Sequence, residues 1–149
     1  MAHPAPYDDL LSDLRGLFAG ERDAIANAAA AIWQHVPGLN WAGFYLLRDG
    51  GLVVGPFQGR PACARIALGA GVCGTAAARR QTLVVPDVRA FPGHIACDAR
   101  SRSEIVTPLL RDGALLGVLD LDSPQLGRFT PTDQAGLEAV AACWVAACG

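Results

Sequence analysis

The chain contains no lysine: all twelve of its basic residues are arginine, set against fourteen acids for a formal net charge of −2. Without a cationic surplus there is no broad surface to hold phosphates, which excludes nucleic acid as a partner. The missing lysines, beside abundant alanine, reflect a base-composition bias and carry no functional content. Long clean apolar runs are missing as well. Gly, Asp or Arg interrupts each candidate, so no segment reads as a bilayer span and no membrane partner is expected. Met1 to Leu11 has neither the basic start nor the apolar core of a secretory signal, so a cytoplasmic protein with reduced thiols is expected. Repeats, linkers and low-complexity tracts are also absent. What remains is 149 residues, 52% of them hydrophobic, a length that fits a single domain over 1–149. Five cysteines in such a compartment are expected to be reactive or buried rather than structural bridges.

The periodicities predict an order of elements. Asp8–Phe18 carries Leu10, Leu11, Leu14, Leu17 and Phe18 at helical spacing, and a second helix is expected over Glu21–His35, with acids in its first turn. Trp41–Leu47, a turn at Arg48-Asp49-Gly50-Gly51 and Leu52–Gln58 read as a hairpin. A short helix is expected over Val72–Arg80, then a short strand over Thr82–Val85. Arg89–Ser103 has almost no periodicity; an irregular stretch of that length in a compact domain is functional or disordered, and its cysteine favours function. Glu104–Arg111 and Ala114–Asp122 form a second hairpin about Asp112-Gly113, and a largely apolar helix closes the chain from Thr130 to about Cys148. The fold class is therefore α+β.

Several residue sets could carry chemistry. Period-two alternation in Ala114–Asp122 puts Leu116, Val118, Asp120 and Asp122 on one face, and Leu115, Gly117, Leu119 and Leu121 on the other. Two neighbouring carboxylates need a cation or a shared proton; the plainer alternative is that this face ends in solvent. With a simple two-residue turn Arg111 pairs with Ala114, so Glu104 falls opposite Leu121 and on the wrong face to join the aspartates. A one-residue bulge would correct that parity, and Pro108 is a marker of irregular pairing. Cys63, Cys73 and Cys97 lie ten and twenty-four residues apart, match no common zinc pattern and have no histidine at ligand spacing, so no metal is expected. The helix start at Cys73 favours a thiolate there, while a buried, inert role is the common alternative for any one cysteine. Cys143 and Cys148 read as core or helix-end residues. His94 could act as a base towards Cys97 or simply be solvated. Trp41 and Tyr45 share a face with Gly43, where a gap between two aromatic walls would suit a small ligand unless the pair is plain packing. Gly69-Ala70-Gly71 is a weak candidate for an anion cradle.

The segments NWAGFYLL (Asn40–Leu47), GVCGTAA (Gly71–Ala77), HIACDA (His94–Ala99), SEIVTP (Ser103–Pro108) and GVLDLDS (Gly117–Ser123) together resemble the free methionine-(R)-sulfoxide reductases, single GAF-domain enzymes. The resemblance runs from about Tyr7 to the C-terminus. It implies a GAF-like antiparallel sheet with the N- and C-terminal helices on one face and the ligand pocket on the other. It implies Cys97 as the nucleophile on the sulfoxide sulfur, Cys63 as the thiol that resolves the resulting sulfenic acid as a disulfide, and Cys73 as an auxiliary thiol. Trp41 and Tyr45 would wall a pocket for the S-methyl group. Glu104, Asp120 and Asp122 would bind the amino group and help protonate the leaving oxygen, and backbone N–H groups beside Cys97 would take the α-carboxylate. Arg100 and Arg102 stand close enough to tune the thiolate. Free methionine sulfoxide as substrate, thioredoxin as reductant, a homodimer and no cofactor complete what the resemblance implies. On electrostatics alone Cys73 competes with Cys97 as the attacking thiol. A non-catalytic GAF sensor is disfavoured because pocket acids would repel a nucleotide phosphate and the chain ends with its closing helix, leaving no output domain. A thiol redox switch would form disulfides yet release no methionine.

Overall fold

The computed structural model describes residues 7–19 and 24–148, with side chains to residue 147. The acids expected to open the second helix, Glu21 and Asp23, lie outside the described residues. Helix α1 (Tyr7–Phe18) buries Tyr7, Leu10, Leu11, Leu14 and Phe18, one stripe at three- and four-residue spacing. Helix α2 spans Ile25–His35, and two further helices are α3 (Gly71–Arg79) and α4 (Pro131–Cys148). The strands are β1 (Trp41–Arg48), β2 (Gly51–Gly59), β3 (Arg65–Ala67), β4 (Leu83–Val85), β5 (Ser103–Arg111) and β6 (Ala114–Ser123). They form one antiparallel sheet in the order β3-β2-β1-β6-β5-β4. Strand β3 and a single 3₁₀ turn at Val88–Ala90 were not legible in the sequence; three residues each leave no periodicity to read. Among the described residues no helix is long and apolar enough to cross a membrane.

Both tight hairpins turn on Asp-Gly. Asp49-Gly50 has φ of +52° and +77°, Asp112-Gly113 +50° and +82°, the left-handed pair that matches the twist of the flanking strands. The sheet buries both faces. Ala42, Phe44, Ile105, Leu109, Leu119 and Leu121 pack under α1, α2 and α4, while Trp41, Tyr45, Val106 and Val118 turn the other way, towards α3. The terminal helices thus cover one face and leave the other for a pocket, as the resemblance implied. At the start of α4 the Thr130 N–H donates to Asp133 Oδ2 (2.8 Å) and the Asp133 N–H donates back to Thr130 Oγ1 (3.3 Å), a reciprocal cap. Asp133 also accepts from the buried Tyr7 hydroxyl at 2.7 Å, so the same cap ties α1 to α4.

Strand β6 corrects the simple alternation. Leu110 pairs with Leu115 but Leu109 pairs with Gly117, which leaves Leu116 as an extra residue. This bulge turns Leu116 towards the helices and Leu115 towards the α3 side, so Leu116 does not share a face with Asp120 and Asp122. It also moves Glu104 from opposite Leu121 to opposite Asp122. Gly117 makes the bulge possible. It holds φ at +156°, and a Cβ there would collide with the Tyr45 carbonyl oxygen and lie 3.0 Å from Leu46 Cα. Gly117→Ala is expected to cost about 2–4 kcal/mol, read as a lower urea midpoint, since a strained φ and a backbone clash act together. An unchanged midpoint would mean that the bulge tolerates a side chain.

Candidate active site

The register assembles an acidic floor from two strands, β5 and β6. On β6, Asp120 faces Gly43 of β1 and Val106 of β5, while Asp122 lies between Trp41 and Glu104. Glu104, Asp120 and Asp122 are 6%, 5% and 9% exposed. From α3 the Cys73 thiol reaches down and donates to Glu104 Oε2 at 3.8 Å. Donor atoms of Cys73, Glu104 and Asp120 lie within 4.8 Å of one another, close enough for one small cation to touch all three. One oxygen of Asp120 is buried without a hydrogen-bond partner among the described residues.

Such crowding cannot remain fully ionised. Burial raises the pKa of each carboxyl well above its usual range, and the neighbours add to it: Asp120 for Glu104, Asp122 for Asp120, and Glu104 for Asp122. The floor therefore holds protons that free carboxylic acids would have released. Burial, followed by the charges of Asp120, Glu104 and Asp122, likewise pushes the Cys73 thiol well above its usual value. This overturns the expectation of a thiolate at the helix start. The side chain is buried against three carboxyl groups, and burial first, then those acids, outweighs the few N–H dipoles of the first turn.

Trp41 and Tyr45 form the side wall, their rings 5.7 Å apart and inclined by 28°. Of the two readings for Gly43, packing or a gap, the structure shows packing. A Cβ on Gly43 would collide with Phe57, whose ring stacks on Trp41 at 5.2 Å. The polar ends of both wall residues hold the segment that carries Cys63: Trp41 Nε1 donates to the Arg60 carbonyl (3.2 Å) and the Tyr45 hydroxyl to that of Cys63 (3.0 Å). Burial, then Asp120, raises the Tyr45 pKa, so its hydroxyl keeps its proton.

Cys63 and Cys97 are joined as a disulfide, with Cα atoms 5.4 Å apart, and Cys97 lines the resulting cup. The cup spans about 490 Å³ with the open solvent at its entrance included, and Trp41, Tyr45, Cys73, Cys97 and the three acids all line it. His94 lines it too, but burial lowers its pKa, and among the described residues its Nδ1 has no partner. Arg100 is committed to Asp98 (2.8 Å) rather than to a thiol. The Gly69 and Ala70 N–H groups are spent on the Gly74 and Ala67 carbonyls (2.7 and 3.1 Å), which leaves neither for an anion. Cys143 is a half-buried helix residue away from the cup; the Cys148 side chain lies outside those described.

Two residues of this region had drawn no role from the sequence. Asp98 lines the cup and accepts from the Arg100 backbone and guanidinium and from Asn40 Nδ2, which holds its carboxyl well below the usual range, Arg100 foremost. Asn40 is 5% exposed and also donates to Ser101 Oγ at 3.0 Å. The signal was adjacency, to Trp41 and to Cys97, which residue-by-residue reading passes over.

Residues 21–143 match the GAF domain family. A free methionine-R-sulfoxide reductase of Escherichia coli is 52% identical over 139 residues, covering 91% of this chain and 84% of that protein. Among solved structures, the reduced form of fRMsr from Staphylococcus aureus superposes with a TM-score of 0.93 at 43% identity, covering 100% of both chains. A free methionine-R-sulfoxide reductase from Neisseria meningitidis in complex with its substrate gives 0.91 at 45% identity, covering 95% of this chain and 87% of that one.

Proposed function

This chain belongs to the GAF domain family and, within it, to the free methionine-R-sulfoxide reductases, and from that premise we propose that it reduces free methionine-(R)-sulfoxide to methionine through Cys97, which lines the cup, and Cys63, bonded to it. The observation that carries the reading is the Cys63–Cys97 disulfide, whose Cys97 lines the same cup as the proton-holding carboxyls.

A sulfoxide oxygen departs poorly unless it gains a proton. The reaction therefore needs an acid beside the attacking sulfur, and the floor of Glu104, Asp120 and Asp122 is that acid. Cys97 sulfur attacks the sulfoxide sulfur while a floor carboxyl protonates its oxygen. The oxygen passes to Cys97 as a sulfenic acid and methionine leaves. The Cys63 thiol then attacks that sulfur, forming the disulfide and releasing water. Two electrons from a dithiol, thioredoxin in the cell, return both thiols and close the cycle. Cys97 is preferred over Cys73 as the attacker because burial, and after it the neighbouring acids, hold Cys73 as a thiol. Cys73 remains an auxiliary thiol able to exchange.

The same floor selects the free amino acid. Its ionised members attract the substrate's α-ammonium, which a methionine within a polypeptide lacks. Trp41 and Tyr45 enclose the S-methyl group, and N–H groups beside Cys97 receive the α-carboxylate. An anionic nucleotide would meet the acids instead.

The test is incubation of the reduced protein with racemic free methionine sulfoxide and dithiothreitol, with the epimers resolved chromatographically. The (R) epimer is expected to disappear as methionine forms, while a peptide-embedded sulfoxide is spared. Loss of the (S) epimer, or equal loss of a peptide sulfoxide, would overturn the reading. In the same assay Trp41→Ala is expected to raise KM by about 10-fold or more, as a buried aromatic wall is removed.

A further inference from the structure

The Cys63–Cys97 bond fixes Cys97 only in the oxidised protein. An attacking Cys97 must be held in place when that bond is open. Asn40, immediately before β1, is placed to do this. Its backbone N–H donates to the Asp122 carbonyl at 2.9 Å, which pins it to the strand of the acids. Its side-chain Nδ2 donates to Asp98 Oδ2 (3.1 Å) and to Ser101 Oγ (3.0 Å). Those two acceptors close a compact turn, in which the Ser101 N–H donates to the Asp98 carbonyl (3.2 Å) and Arg100 bonds the Asp98 carboxylate through its backbone N–H (2.9 Å) and Nη2 (2.8 Å). Cys97 is the residue next to that turn. A single buried amide therefore spans from the floor strand to the neighbour of the sulfur.

We propose that Asn40 is a positioning residue for the reaction: through Asp98 and Ser101 it holds the Cys97 turn in register with Asp120 and Asp122 while the disulfide is open. This rests on the reading that Cys97 attacks the sulfoxide. Asn40 acts through the turn, and Trp41 rather than Asn40 forms the wall of the cup. A buried amide of purely structural value would weaken every property of the protein together. A positioning role affects the oxidising half-reaction, where Cys97 is free, and spares the reducing half-reaction, where the disulfide holds Cys97 already.

The experiment separates the two halves. Pre-reduced Asn40→Ala is mixed with free methionine-(R)-sulfoxide and methionine release is timed in a single turnover. Its oxidised form is separately mixed with dithiothreitol and thiol return is timed. The first rate is expected to fall about 10- to 100-fold, the scale of a small misplacement of reacting atoms, and the second to change by less than about 3-fold. Asn40→Asp, which sets a carboxylate against Asp98, should be slower still in the first step. The double variant Asn40→Asp/Asp98→Asn restores a donor facing an acceptor with its direction reversed, and should regain about 10-fold over Asn40→Asp. Should Asn40→Ala not fold, Asp98→Ala reports the same split from the outer side of the turn. Equal loss in both half-reactions, an undiminished first rate, or no recovery in the folded double variant would overturn the proposal. A wild-type protein inactive on the free sulfoxide would instead overturn the function on which it rests.

Discussion

Replacing Cys97 by serine is expected to abolish methionine release, lowering turnover on the order of 10³-fold or more, because a serine hydroxyl at neutral pH is a far weaker nucleophile than a thiolate. The fold should survive, since Cys97 lies in an irregular stretch and serine is nearly isosteric with it. Cys63→Ser should behave differently. Pre-reduced, it should release about one equivalent of methionine per chain and then stop, with Cys97 held as a sulfenic acid that a dimedone-type reagent captures. Cys73→Ser should release its first equivalent at a rate within a few-fold of wild type, because Cys73 neither attacks nor forms the first disulfide. The measurement is a single-turnover quench with no reductant present. If Cys97→Ser released an equivalent while Cys73→Ser released none, the order of the thiols would be reversed and the carboxyls around Cys73 would have to activate it instead of suppressing it.

Asp120→Asn should move activity and stability in opposite directions. The floor acids are expected to lower the barrier by protonating the leaving oxygen and by drawing in the ammonium, so kcat/KM should fall on the order of 10²- to 10³-fold. Stability at neutral pH should rise, by about 1–3 kcal/mol, because an amide enters a buried carboxyl cluster without the cost of an unpaired charge. The sign follows from the raised pKa values of Glu104, Asp120 and Asp122. The folded chain holds protons that the unfolded chain releases above its ordinary carboxylic pKa of about 4. The favourable contribution of these groups is therefore complete below that pH and is lost as pH rises towards the raised folded values. Urea unfolding across pH should show wild-type stability declining over that window, with a shallower decline in Asp120→Asn. The first-turnover rate should also fall on the alkaline side as the cluster loses its last proton, at a pH that belongs to the group of acids as a whole. A variant with full activity on the free sulfoxide would remove Asp120 from the reaction.

Much of this fold could be read along the chain. Local signals marked both Asp-Gly hairpins, the leucine stripe of α1, and Thr130-Pro131 at the start of α4, because each depends on residues within a turn or two of one another. The pocket residues were reached through the family resemblance, and period two put Asp120 and Asp122 side by side without further help. The face on which Glu104 stands was not settled by pattern. Its parity depends on whether one residue in β6 is left over, and that residue, Leu116, is set by a close approach of Gly117 to Tyr45 on another strand. Proximity of that kind has no local signature. The same limit applied to the thiol at the start of α3. Its helix position spoke for a thiolate, and only the packing of α3 onto β5 and β6 brought the burial, and with it the acids, that reverse the sign. Local sequence determined which elements form and where they turn, since those energies act over a few residues. The protonation of the cup, the filling of Gly43 by Phe57 and the grip of Asn40 on the Cys97 turn were decided by tertiary structure, because burial and electrostatics depend on distances between segments far apart in the chain.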